Sequence, residues 1–220
     1  MNKKRIASLL LPALAVVLLA SCKDSDETYD PYYDWQERNA AWFAEMYDMA
    51  QQAISSAKAD YPAGNEWEDH CDWRVFKTLL KSQDVQGVTT DYIVCHINER
   101  GDGDWSPAYT DSVRLYYRGW IMDENYPESK TNLSVFSQTY YGDFDETTAA
   151  PLAMPVISTV EGFQTAIQYM VKGDDWDVYI PQQLAYGATS SDVIPAYSTL
   201  LFRLRVELVH KSGTGMPGWR

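Results

Sequence analysis

Few residues of this chain combine a type and a spacing suited to breaking a covalent bond. His70, His96 and His210 are scattered, and no pair of them has metal-ligand spacing. Asp145 and Glu146 offer the paired carboxylates that glycoside hydrolysis needs, yet neighbouring acids in an acidic loop ordinarily serve to solvate it. The more informative pattern is apolar. Val160-Glu161-Gly162-Phe163 leads through Met170, Gly173 and Ile180-Pro181 to Leu184-Ala185-Tyr186-Gly187, then to Ile194-Pro195 and Ser198-Thr199-Leu200-Leu201-Phe202. Taken singly, such residues are core packing more often than a ligand wall. Their joint order, with Tyr117-Arg118-Gly119 and Phe136 upstream, shifts that balance for the set. Surface of this kind can bind and desolvate a ligand; it cannot attack one.

The order of motifs resembles the FKBP-type peptidyl-prolyl isomerases over roughly Thr90 to His210, with the spacing from Phe163 to Tyr186 followed without a gap. The resemblance implies one aromatic-walled pocket for an X-Pro bond. It places Tyr117 at a pocket-wall tyrosine, Phe136 at the aromatic of the family's Phe-Asp pair, and Phe163 where the family most often has a tryptophan floor. Tyr186, Ile194 and Phe202 complete the catalytic walls, joined by Val193 and Leu152 as substrate-binding residues. Val160 matches the residue whose backbone N–H takes a ligand carbonyl, and the Tyr186 hydroxyl takes another. Ser137 departs from the pattern: it stands where the family usually has an aspartate, and it keeps a hydroxyl without the charge. The loop from Phe136 to Val156 is long, so Phe144 and Met154 join Leu152 as rim or wall positions, and the segment after Tyr186 is one residue shorter than a common form of the family. Two functions follow as expectations. One is a prolyl isomerase, of reduced activity, that assists the folding of exported proteins. The other is a peptide-binding or chaperone module on the same fold, with little turnover.

Rotation about an X-Pro bond loses amide resonance against a barrier of ~18–20 kcal/mol and takes tens of seconds or more unaided. A planar amide is more polar than a twisted one, so a dry aromatic pocket favours the twisted form relative to water. Two hydrogen bonds fixing the peptide on either side are worth ~1 kcal/mol net each. No nucleophile, metal or cofactor has a step to perform, and none is expected.

The elements that must position these residues are readable from periodicity. Trp35 to Ala59 carries Trp35, Trp42, Phe43, Met46, Met49, Ala50 and Ala53 at helical spacing, closed by Pro62-Ala63-Gly64, which makes residues 35–62 an amphipathic helical segment. Its stripe has two available partners, the main domain or a second copy in a homodimer, and a helix this short favours the main domain. From Trp73 the period becomes two: Trp73 to Lys81, Asp91 to Asn98, Ser112 to Met122, Trp176 to Ile180 and Phe202 to Leu208 read as strands with one buried face each. Val160 to Val171 is the exception, a helix with Phe163, Ala166, Ile167 and Met170 on one stripe and Gly173 at its C′ position. The fold class is α+β: an antiparallel sheet wrapped around one short helix, spanning residues 73–212 and preceded by an N-terminal helix.

Asn2-Lys3-Lys4-Arg5, the apolar run from Ile6 to Ala20 and Ser21-Cys22 read as an export signal over residues 1–21. Leu19-Ala20-Ser21-Cys22 resembles a bacterial lipobox, which implies lipidation at Cys22, a membrane anchor and an exported lipoprotein of the cell envelope, at the periplasmic or surface face of an outer membrane. Residues 22–34 then form an acidic linker. Removing the leader takes three of the 18 bases and none of the 31 acids, deepening a net charge of −13. Nucleic acid is excluded as a partner, since it requires clustered Lys and Arg to displace counterions. Proline-containing polypeptides are the expected clients. Cys71 and Cys95 would be left in a compartment that allows a disulfide.

Overall fold

The computed structural model describes residues 30–123 and 132–219; the leader, Cys22 and the linker as far as residue 29 lie outside them. Among the described residues seven strands form one antiparallel sheet: β1 (Trp73–Lys77), β2 (Tyr92–Glu99), β3 (Ser112–Met122), β4 (Leu133–Gln138), β5 (Leu152–Pro155), β6 (Asp175–Ile180) and β7 (Leu200–His210). Their order is β1-β2-β6-β7-β3-β4. The long β3 pairs with β7 along one edge, and its other edge is shared, Ser112 to Leu115 with β5 and Arg118 to Met122 with β4. Two helices complete the fold, α1 (Trp35–Asp60) and α2 (Glu161–Ile167). This is the α+β architecture expected from the sequence.

The sheet is buried on both faces. Ile93, Cys95, Val178, Ile180, Phe202 and Leu204 point inward against Phe163, Ala166 and Ile167 of α2. The residues out of phase with them, Val94, Tyr179 and Leu201, pack against Trp42, Phe43 and Ala50 of α1. The expectation of one buried face per strand is therefore corrected where α1 crosses the sheet. Ile93-Val94-Cys95 and Leu200-Leu201-Phe202 are apolar in both phases for this reason.

The buried stripe of α1 runs Trp35, Asn39, Trp42, Phe43, Ala50, Ile54 and Ala57, while Met49 is left exposed. A straight helix lying on a surface repeats its contact line at 3.6 residues, so Asn39 to Ala50 and Phe43 to Ile54 stay aligned, whereas the heptad Trp35, Trp42, Met49 rotates off the line. The helix ends at Tyr61, whose N–H bonds Ala57 O, because Pro62 disfavours helical geometry in the residue before it. Pro31 to Asp34, read from sequence as the end of the linker, form a turn in which the Tyr32 ring meets Trp35 edge-on at 5.3 Å.

Three further expectations are corrected. Helix α2 stops at Ile167, not Val171, as its last turn tightens through Tyr169 N–H to Ala166 O and Met170 N–H to Ile167 O. Gly173 is thus no helix cap; it has φ 91°, and a Cβ there would lie 3.0 Å from Gly101 Cα. On β7 the alternation fails after Val206, because a bulge opposite Arg114 and Leu115 inserts one residue and buries Val209 in place of Leu208. The two buried cysteines are unpaired: Cys71 sits beneath α1 with Ile54 and Ala57, whereas Cys95 lies in the inner core, where burial pushes its thiol pKa up.

Candidate functional site: an aromatic cavity over the short helix

The inner face of the sheet opens beyond α2 into a cavity of about 720 Å³. Its floor is Phe163, only 4% exposed, which α2 presents because Gly162 before it lets the helix approach the sheet; a Cβ on Gly162 would fall 2.3 Å from Ile180 Cγ2. Phe202 of β7 meets Phe163 edge-on at 5.0 Å and Phe136 of β4 edge-on at 5.3 Å. Tyr117 of β3 stands perpendicular to Phe163 at 6.4 Å. These are the edge-to-face arrangements aromatic quadrupoles favour, and they give the cavity a wall of ring edges and faces.

Gly119 makes the arrangement possible. It sits on β3 between β4 and β7, opposite Ser137 and Phe202, and a Cβ there would lie 2.7 Å from both Phe136 Cζ and Phe202 Cε1. Gly119→Ala is expected to displace both rings, lowering stability by ~1–3 kcal/mol as overpacking does. A thermal melt beside a peptide-binding titration checks this: binding should weaken even at temperatures where the variant is fully folded.

The polar groups are few and placed at the mouth. Ser137 Oγ and the Tyr117 hydroxyl are hydrogen-bonded at 2.9 Å. Val160 begins α2 in extended geometry, and its N–H finds no acceptor among the described residues. Tyr186 is 47% exposed and Val193 58%, so both line the rim, while Ile194 is buried behind them. The rim segment is closed on itself: Tyr197 N–H donates to Gly187 O at 2.7 Å, Ser191 N–H to Ile194 O at 2.8 Å, and Ile194 N–H returns to Ser191 Oγ at 3.1 Å. No carboxylate, imidazole, thiol or amine is among the described lining residues. Glu161, although next to Val160, accepts instead from Thr78 Oγ1 and ties the β1–β2 connection to α2.

The residues that the resemblance assigns to the pocket as catalytic or substrate-binding, Tyr117, Phe136, Ser137, Leu152, Val160, Phe163, Tyr186, Val193, Ile194 and Phe202, line one cavity, and so does the rim candidate Met154. Phe144 does not. It packs edge-on against Tyr116 and Tyr140 and beneath Arg205, outside the cavity, because the long loop folds back over the other side of β3. Ser191, in the shortened rim segment after Tyr186, lines the cavity too, and Ser158 and Thr159, which were missed, complete the lining; they immediately precede Val160, and that adjacency was their one signal.

Residues 103–209 match the family described as FKBP-type peptidyl-prolyl cis-trans isomerase. Among curated relatives, the "FKBP-type 22 kDa peptidyl-prolyl cis-trans isomerase" of Escherichia coli (strain K12) is 32% identical over 133 residues, 59% of this chain and 57% of that one. The "Macrophage infectivity potentiator" of Trypanosoma cruzi is 30% identical over 117 residues, 53% of this chain and 52% of that one. The chain thus spans about half the length of these relatives. Among solved structures, FkpA from Escherichia coli aligns with a TM-score of 0.45 at 23% identity, covering 77% of this chain and 64% of that one. The cavity is therefore built within a domain, residues 103–209, that belongs to the FKBP-type peptidyl-prolyl cis-trans isomerase family.

Proposed function

We propose that this chain catalyses prolyl cis-trans isomerisation in polypeptides and that its cavity is the active site. The observation that carries the reading is a cavity walled by four packed aromatic rings, uncharged over its described lining, with two donors at its mouth, Val160 N–H and the Tyr186 hydroxyl, that are unengaged among the described residues. The prolyl ring seats on Phe163 between Phe202 and Tyr117, with Phe136, Ile194 and Leu152 excluding water. The two donors hold carbonyls on either side of the rotating bond. Desolvation then favours the less polar, twisted amide. The Tyr117–Ser137 pair borders the bond without a charge. The signal-like residues 1–21 and the lipobox-like Leu19-Ala20-Ser21-Cys22 support an activity at the cell envelope on a lipid tether, with unfolded exported proteins as clients.

A specific observation favours binding with weak turnover as the second reading. Ser137 spends its hydroxyl on Tyr117 and presents no carboxylate. The deciding experiment is proline-limited refolding of a test protein by the chain from Lys23 onward, with Tyr186→Phe as a site control and Ser137→Asp as a gain test. Acceleration that drops in Tyr186→Phe supports the isomerase. Peptide binding without acceleration, with activity appearing only in Ser137→Asp, supports the binding module.

Because the described lining of the cavity holds no carboxylate, imidazole, thiol or amine, the isomerisation rate is expected to be flat from about pH 6 to 8, unlike an acid–base enzyme. Stability behaves differently. Asp111 accepts backbone N–H groups from Ser212 and Ala108, each at 2.9 Å, and these bonds hold its carboxyl below the usual range. A depressed folded-state pKa means the stabilisation is full above the unfolded value, near about 4, and is lost as pH falls through the folded one. Melting temperature should therefore drop only in acid, which a pH series of thermal melts checks.

A further inference from the structure

We propose that a second cavity beside the prolyl one takes the side chain of a lysine or arginine within two residues of the client's proline, which rests on the isomerase reading of the first cavity. The second cavity, about 550 Å³, shares Ser191, Val193 and Ile194 with the first. An extended peptide advances about 3.3–3.6 Å per residue, so a cavity with a common wall falls to the proline's near neighbours.

Its lining selects the occupant. Met122, Val135, Val193 and Pro195 supply aliphatic walls, and Asp192 alone among the described lining residues carries a charge. A long aliphatic stem ending in a cation matches both features, the stem along the walls and the head at the exposed Asp192 carboxylate. An acidic residue meets Asp192 and a chain of net charge −13, and is disfavoured. Tyr32, from the turn before α1, also lines the cavity, with its ring edge-on to Trp35, and brings an aromatic side chain beside the cation's path. The N-terminal segment, outside the residues that match the family, thereby contributes to client selection.

The test is a peptide series carrying lysine, norleucine or glutamate at each of the two positions before and after the proline. Each peptide is assayed for kcat/KM with wild type, Asp192→Asn and Tyr32→Ala. Norleucine keeps the stem and removes the charge. At one position lysine should exceed norleucine by about threefold to tenfold, with glutamate lowest, and the ratio should fall towards one in Asp192→Asn, shrink in Tyr32→Ala and weaken with salt. Equal rates at all positions in wild type, or a preference unchanged in both variants, overturns the subsite and leaves the isomerase reading standing. If wild type turns over none of the peptides, the isomerase reading fails separately. The same ranking is then measured as binding by fluorescence polarisation: a lysine preference lost in Asp192→Asn supports the subsite, and its absence overturns it.

Discussion

Phe202→Ala should lower kcat/KM for a proline-containing peptide by at least about tenfold and destabilise the domain by ~3–5 kcal/mol, the range for truncating a buried phenylalanine. Both effects have one cause. Phe202 is 6% exposed and its ring touches Phe136, Phe163 and Tyr117, so it is at once core and cavity wall. Removing it leaves a void that water or a rotated ring can enter, and the desolvation on which the proposed catalysis depends is lost. The two effects separate by temperature and by a second variant. At low temperature, with folding verified by circular dichroism, the rate should remain low. Phe202→Leu, which restores most of the volume but no aromatic face, should recover stability more than activity. Recovery of both in equal measure would mean that the cavity needs only filling at this position, and the aromatic account of the pocket would be wrong.

The cavity was more legible in the sequence than the fold details around it, and the reason is physical. Its residues sit at fixed offsets from backbone landmarks that the chain cannot move: Gly162 before Phe163, Tyr186-Gly187 after a tight turn, Ile194-Pro195 before the last strand. Gly162 and Gly119 are set by close approach of Ile180, Phe136 and Phe202, contacts that leave no room for a Cβ. Phe144 was misplaced because its loop carries no such landmark, and two of its partners, Tyr116 and Arg205, come from sites distant in sequence. Local periodicity likewise carries no sign of the β7 bulge, which is a property of the pairing with β3. The second buried face was present in the apolar runs at 93–95 and 200–202, but runs of that kind do not say which element covers them.

Asn39→Ala should be strongly damaging, although a polar residue in a helical stripe reads as solvent-facing. Asn39 is fully buried. Its Oδ1 accepts the Thr199 N–H at 2.8 Å, its Nδ2 donates to Trp35 O at 2.8 Å, and its backbone O accepts Thr199 Oγ1 at 3.0 Å. Beside it Trp35 Nε1 donates to Ser198 Oγ at 3.0 Å, and Ser198 Oγ in turn donates to Pro195 O at 2.7 Å. These bonds staple α1 to the segment between Ile194 and Phe202, two walls of the cavity. Alanine strands the buried Thr199 N–H, a loss of ~1–3 kcal/mol, to which the vacated volume adds. For a domain of this size each kcal/mol lowers Tm by ~2–4 °C. Thr199→Val removes only the hydroxyl bond and should lose ~1 kcal/mol. Because the staple also fixes Ile194, Asn39→Ala should raise KM for a peptide while leaving kcat nearly unchanged. A variant that melts early with an unaltered KM would show that α1 stabilises the sheet without shaping the cavity.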